Sequence, residues 1–173
     1  TLSSPKIVQR HANSLILGYF LKQVVAVSQQ QNTKLECGWF FCRSDDGSSQ
    51  AEHFCHWLAG CEFNMPASLQ QGLIAVTNGT ALAGAQSANL LQQSASSIND
   101  IRKQWLDEYE PLQIELKALN ANVSENNPYR KRIERDLQRL TKEYLLSELA
   151  TRGFLPGYGF PTGIAYFDPY SVQ

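Results

Sequence analysis

Apolar residues recur at three- and four-residue intervals along much of this chain, most regularly in its second half. From about Ala88 to Leu119 they fall at Leu90, Leu91, Ile98, Ile101, Trp105, Tyr109, Leu112, Leu116 and Leu119. From Pro128 they fall at Ile133, Leu137, Leu140, Tyr144, Leu145 and Leu149. That period belongs to amphipathic helices. Pro111 interrupts the first run and is expected to kink or divide it. The polar stretch Asn120 to Asn127 predicts a turn, after which Asn127 is an N-cap and Pro128 a first helical residue. Pro128 to Arg152 predicts one helix of about 37 Å, ended by Gly153 as the C′ residue. Two long amphipathic helices joined by a polar turn predict an antiparallel hairpin with coiled-coil-like packing.

The first half predicts shorter pieces. Ser4 reads as an N-cap and Pro5 as the first residue of a helix carrying Ile7, Val8, Leu15, Ile16, Tyr19, Phe20, Val24 and Val25. The polar run Ser28 to Thr33 closes it. Leu35 to Cys42 reads as a strand or a buried turn, with Trp39, Phe40 and Phe41 as core. Asp45 to Ser48 is a loop signal. Ser49 to Leu58 predicts a short helix with Phe54, Trp57 and Leu58 on one side, ended by Gly60. Another follows Pro66 and stops near Asn78-Gly79. The expected fold is mainly α: a small helical subdomain with a cysteine- and aromatic-rich insert over 1–84, an antiparallel helical hairpin over 85–152, and an irregular Gly/Pro/aromatic segment over 153–173.

That last segment changes the picture. Arg152 to Phe167 spaces aromatics with Gly and Pro, and Pro156 and Pro161 cannot continue a helix. Phe154, Tyr158 and Phe160 are therefore expected to dock against a neighbouring domain, with base stacking by these rings, Tyr166 and Phe167 as the competing reading. The chain opens at Thr1 without an initiator Met and stops abruptly at Gln173, which points to a piece of a larger protein.

Composition narrows the chemistry. With 43% hydrophobic and 18% charged residues the chain can bury a core, and a net charge of -1 leaves no global field, so nucleic-acid binding has to be local. No apolar run is long enough for a membrane span. Cys37, Cys42, Cys55 and Cys61 share one short window with His53 and His56. A zinc site is one reading, but the spacings of the pairs fit metal knuckles poorly and favour small buried hydrophobes. A long cysteine-free remainder suggests a reducing, cytoplasmic setting. Arg130, Lys131, Arg132, Arg135, Arg139 and Lys142, set against Glu134 and Asp136, give a local balance of +4. Arg132, Arg135, Arg139 and Lys142 fall at helical spacing and are the candidate phosphate contacts, the competing reading being a solvated face with intrahelical pairs. Nucleophile elbow, His-Glu-x-x-His and phosphate-loop motifs are all missing from the sequence, and no catalytic residue is assigned.

Three segments, Ser4 to Asn13, Cys37 to Phe41 and Gly153 to Pro161, resemble the region that follows the second motor domain in large superfamily 2 DEAD/DEAH-box helicases of bacterial phage-defence systems, of the Druantia and DISARM kind. The resemblance implies an accessory helical domain that braces the motor or guides DNA, with other domains of the same helicase, DNA and a defence-system subunit as partners. It implies ATP and Mg in the parent protein and no cofactor in this segment, because no motor motif occurs here. The alternatives are a structural protein–protein interaction module, or a small zinc-binding module on a helical hairpin.

Overall fold

The computed structural model describes residues 4–26 and 35–157. Among them are seven α-helices: α1 (Pro5–Tyr19), α2 (Cys37–Phe41), α3 (Gln50–Cys61), α4 (Ala67–Thr77), α5 (Ser87–Asn120), α6 (Pro128–Lys142) and α7 (Leu145–Thr151). A π-helical turn, Phe20–Val24, extends α1. The protein is mainly helical, and its described residues hold no strand beyond a single antiparallel bridge between Glu36 and Tyr144.

Several ends form where local chemistry puts them. Ser4 is the N-cap of α1 with Pro5 in its first turn. The Asn127 side chain accepts from the Tyr129 and Arg130 amides, satisfying two donors that the first turn of α6 would otherwise leave orphaned. At the far end of α7 the Phe154 amide donates to the Leu149 carbonyl and the Gly153 amide to that of Ala150. This is a Schellman motif, and it requires the φ of +85° that Gly153 adopts.

Two helices depart from the sequence reading. Pro111 neither ends nor divides α5, which runs unbroken for 34 residues. The carbonyl that Pro111 deprives of a donor belongs to Asp107, and both residues lie on the exposed side of α5. The expected single helix from Pro128 to Arg152 is instead two, broken at Glu143 and Tyr144. There the extended residues before α2 cross the chain: Cys37 N donates to Glu143 O at 2.9 Å, and Leu145 N to Leu35 O at 2.8 Å. Leu35 to Cys42 is thus a bridging residue followed by a helical turn. Gly60, expected to end α3, lies inside it.

α5 and α6 run antiparallel. Tyr129 at the start of α6 donates its hydroxyl to Glu115 near the end of α5. Arg152, just past α7, reaches back to Gln104 at 3.2 Å and Glu108 at 3.5 Å, while its Nε holds Glu148 at 2.6 Å. One continuous core joins both halves of the chain, from Ala12, Ile16 and Phe20 through Phe40, Phe41 and Phe54 to Leu90, Ile98, Trp105, Leu149 and Phe154. Phe41 stacks on Trp105, which stacks in turn on Tyr109, so α2 closes over the long helix through three aromatic rings. Trp39 is only half-buried, at the edge of this core.

Candidate nucleic-acid interface

The first turn of α6 is capped by Asn127, and Ile133 is buried on the helix's inner face with Leu137 and Leu140 half-buried beside it. At about 100° per residue, the opposite face carries Lys131, Arg132, Arg135, Gln138, Arg139 and Lys142. All six are exposed. Glu134 and Asp136 fall on the flanks of that arc. The four residues expected from spacing thus share one solvent face, and Lys131 belongs with them. Arg130 does not. Its side chain is 14% exposed, with Nε on Glu134 at 3.0 Å and a terminal nitrogen on the Val123 carbonyl at 3.0 Å. It fastens the hairpin turn. Arg139 is drawn toward Asp136 at 3.8 Å, with both side chains open to water, where such a pair contributes about 0–1 kcal/mol. Arg132 to Lys142 extends about 15 Å along the helix.

The expected docking residues separate. Phe154 is 1% exposed and sits edge-on to Phe54, 6.4 Å between ring centroids. It docks, but inside this chain's own core rather than on a neighbour, because the Schellman turn folds it back over α7. Tyr158 and Phe160 lie outside the described residues, as do Pro161, Tyr166 and Phe167.

The four cysteines are dispersed. Cys37 is fully buried beneath α7. Cys42 meets the Tyr109 hydroxyl in a cleft of about 240 Å³ lined also by Arg43, Glu52 and Glu110. The Cys55 thiol faces the Ala95 carbonyl and the Asn99 side chain of α5, and Cys61 closes one end of the core. Among the described residues no three His, Cys, Asp or Glu side chains gather into a metal-holding group. Burial pushes the Cys37 thiol from its ordinary 9.0 up to about 12, and Cys55 up to about 11. Both are therefore neutral thiols at physiological pH and weak nucleophiles.

Those shifts carry a pH dependence. The unfolded chain loses these protons from about pH 9, while the folded chain keeps them until pH 11–12, so above pH 9 the unfolded state binds fewer protons. Stability is expected to hold level up to pH 9 and then fall by at most about 1.4 kcal/mol per pH unit for each thiol. Urea unfolding at pH 7, 9 and 10 reads this directly. A Cys37→Ala/Cys55→Ala variant should show a shallower alkaline decline than the parent, and equal slopes would refute the assignment.

A serine–histidine pair, which the sequence reading passed over, joins the loop before α3 to the first turn of that helix. Ser48 Oγ is 2.7 Å from His53 Nε2. Ser48 donates its only hydroxyl proton to Asp46 at 2.9 Å, so His53 must supply the proton for its own contact with Ser48. A histidine that donates cannot also be the base for that hydroxyl. Hydrogen bonds from the Ser44 hydroxyl and from the Ser48 amide and hydroxyl hold Asp46 down to about 2. The arrangement ties a turn.

No family model, curated protein or solved structure matches this chain. A different polar cluster, also missed, joins α1 and the helix α5 to the turn that follows α7. Asn13, 2% exposed, donates to the Phe154 carbonyl at 2.9 Å and accepts from Ser94 and from Gln9. Gln9 also donates to the Leu90 carbonyl at 3.1 Å. The signal available in advance was a lone Asn on the apolar side of a helix, four residues after a Gln. Among the described residues no helix is long and apolar enough to cross a membrane.

Proposed function

We propose that this chain is an accessory helical domain of a large ATP-dependent DNA helicase or translocase of bacterial phage defence, and that the outer face of α6 contacts the nucleic-acid backbone. The observation that carries the binding part is the exposed arc of α6, on which Lys131, Arg132, Arg135, Arg139 and Lys142 stand without an intervening carboxylate. Net charge is -1 for the whole chain, so cations concentrated on one face make a local and directional attraction rather than a diffuse one. The helicase part rests on the three resembling segments, of which the first and last meet at Asn13 and Phe154. ATP and Mg belong to the motor of the parent protein, and the partners are its other domains and a defence-system subunit.

Phosphate contacts release counterions, so affinity should fall with salt with a slope of about -0.9 per contact on duplex DNA and about -0.7 on a single strand. Four contacts give a slope near -3.6 or -2.8, about a hundredfold or fiftyfold loss between 50 and 200 mM salt. Fluorescence anisotropy with labelled oligonucleotides measures it. A variant with Arg132, Arg135, Arg139 and Lys142 all changed to Gln should lose the slope together with the affinity. Equal binding by parent and variant would sink this reading and leave the interaction-module alternative, for which Phe63, at 92% exposure, is the most exposed large apolar side chain among the described residues.

A further inference from the structure

Tyr129 is 49% exposed, in the first turn of α6 and one turn before Arg132. Its hydroxyl donates to Glu115 of α5 across the hairpin, which tethers the ring on the α5-facing flank of α6, next to Arg132 at the near edge of the cationic stripe. The ring has no aromatic partner among the described residues, whereas Tyr109 is covered by Trp105 and Tyr19 by Trp57. Ile114, the neighbour of Glu115 in sequence, is also exposed, at 68%.

Bare cations on a straight helix attract any polyanion. A tethered, solvent-facing ring adds something a duplex cannot use, because duplex bases are already stacked on one another. An unpaired base has a free face, and stacking it on an aromatic side chain contributes about 1–3 kcal/mol. Resting on the backbone-contact reading above, we infer that the hairpin binds single-stranded nucleic acid in preference to duplex, with Tyr129 stacking one unpaired base while Arg132, Arg135, Arg139 and Lys142 track the backbone that follows. Nothing in this reasoning needs a particular base or sugar, so single-stranded DNA and RNA share the chemistry.

The test compares the parent, Tyr129→Ala, Tyr129→Phe and the quadruple Gln variant against oligo(dT), oligo(rU) and a duplex, each of about 15 nucleotides, at several salt concentrations. Tyr129→Ala should weaken single-strand binding about 5- to 150-fold, leave duplex binding within about twofold, and leave the salt slope unchanged. Tyr129→Phe should bind as the parent does, since the ring is kept. Tyr129-dependent binding of either strand type supports the inference, and the two single-strand arms show which is its source. If Tyr129→Ala binds like the parent while the quadruple variant fails, stacking is overturned and the backbone reading stands. If Tyr129→Phe loses as much as Tyr129→Ala, the hydroxyl brace to Glu115 is what matters, and stacking is overturned again. If the parent binds none of the three probes, both readings fall together.

Discussion

Truncating Phe154 to Ala is expected to lower the unfolding free energy of the chain by about 3–5 kcal/mol, as cavity creation does at fully buried aromatics. The ring is sealed on all sides. It meets Phe54 of α3 edge-on, its backbone amide closes the end of α7, and its carbonyl accepts from Asn13 of α1. Only the ring is removed by the substitution, so the Schellman bonds and the Asn13 contact survive and the loss reports packing. Urea denaturation of the isolated chain measures it. A side chain reserved for a neighbouring domain would leave the isolated chain's stability within about 0.5 kcal/mol, and that result would overturn the placement.

Asn13→Leu is the second severe change, for a different reason. The new side chain keeps the γ-branched shape of Asn but no polar atom, and so strands the Phe154 carbonyl and the Ser94 hydroxyl. Each buried polar group left unpaired costs about 1–3 kcal/mol, giving about 2–6 kcal/mol for the pair. Gln9 is spared, because it keeps the Leu90 carbonyl. Ser94→Ala removes only one of the donors to Asn13, whose oxygen still has Gln9, and should cost about 1 kcal/mol. The wide gap between the two variants is the expectation. If Asn13→Leu proved as mild as Ser94→Ala, the network would not be holding the two ends of the fold together.

What could be read in advance follows the range of the interactions involved. The Asn127-Pro128 cap and the Gly153 terminus are set within a few residues, so their chemistry is written where it acts. Amphipathic periodicity marked α5 and α6 for the same reason. Pro111 does not divide α5, and whether a proline divides a helix depends on the exposure of the carbonyl it orphans, a property of the folded molecule. The break at Glu143 and Tyr144 left no trace, since neither Gly nor Pro stands there and the apolar spacing passes through it unchanged. Backbone pairing from Leu35 and Cys37 makes it. For Phe154 the sequence showed that an aromatic ring needed a surface; it could not show whose. The cationic face was legible as a stripe, but Lys131's place in it and Arg130's removal from it required the positions of Glu134 and Val123.

The crossing of α6 and α7 by Leu35 and Cys37 also bears on how the chain is made. During synthesis the first third emerges with the Leu35 carbonyl and the Cys37 amide lacking their partners, and with Phe41 waiting for Trp105. The Phe41 gap closes once Trp105 has emerged, but the two backbone gaps close only after Glu143 and Leu145 have left the ribosome, so this clasp is a long-range contact within a helical fold. A hairpin excised as 85–152 would likewise lack both the clasp at its break and the rings that cover its long helix. The arm presenting the cations is thus finished last, by the part of the chain made first.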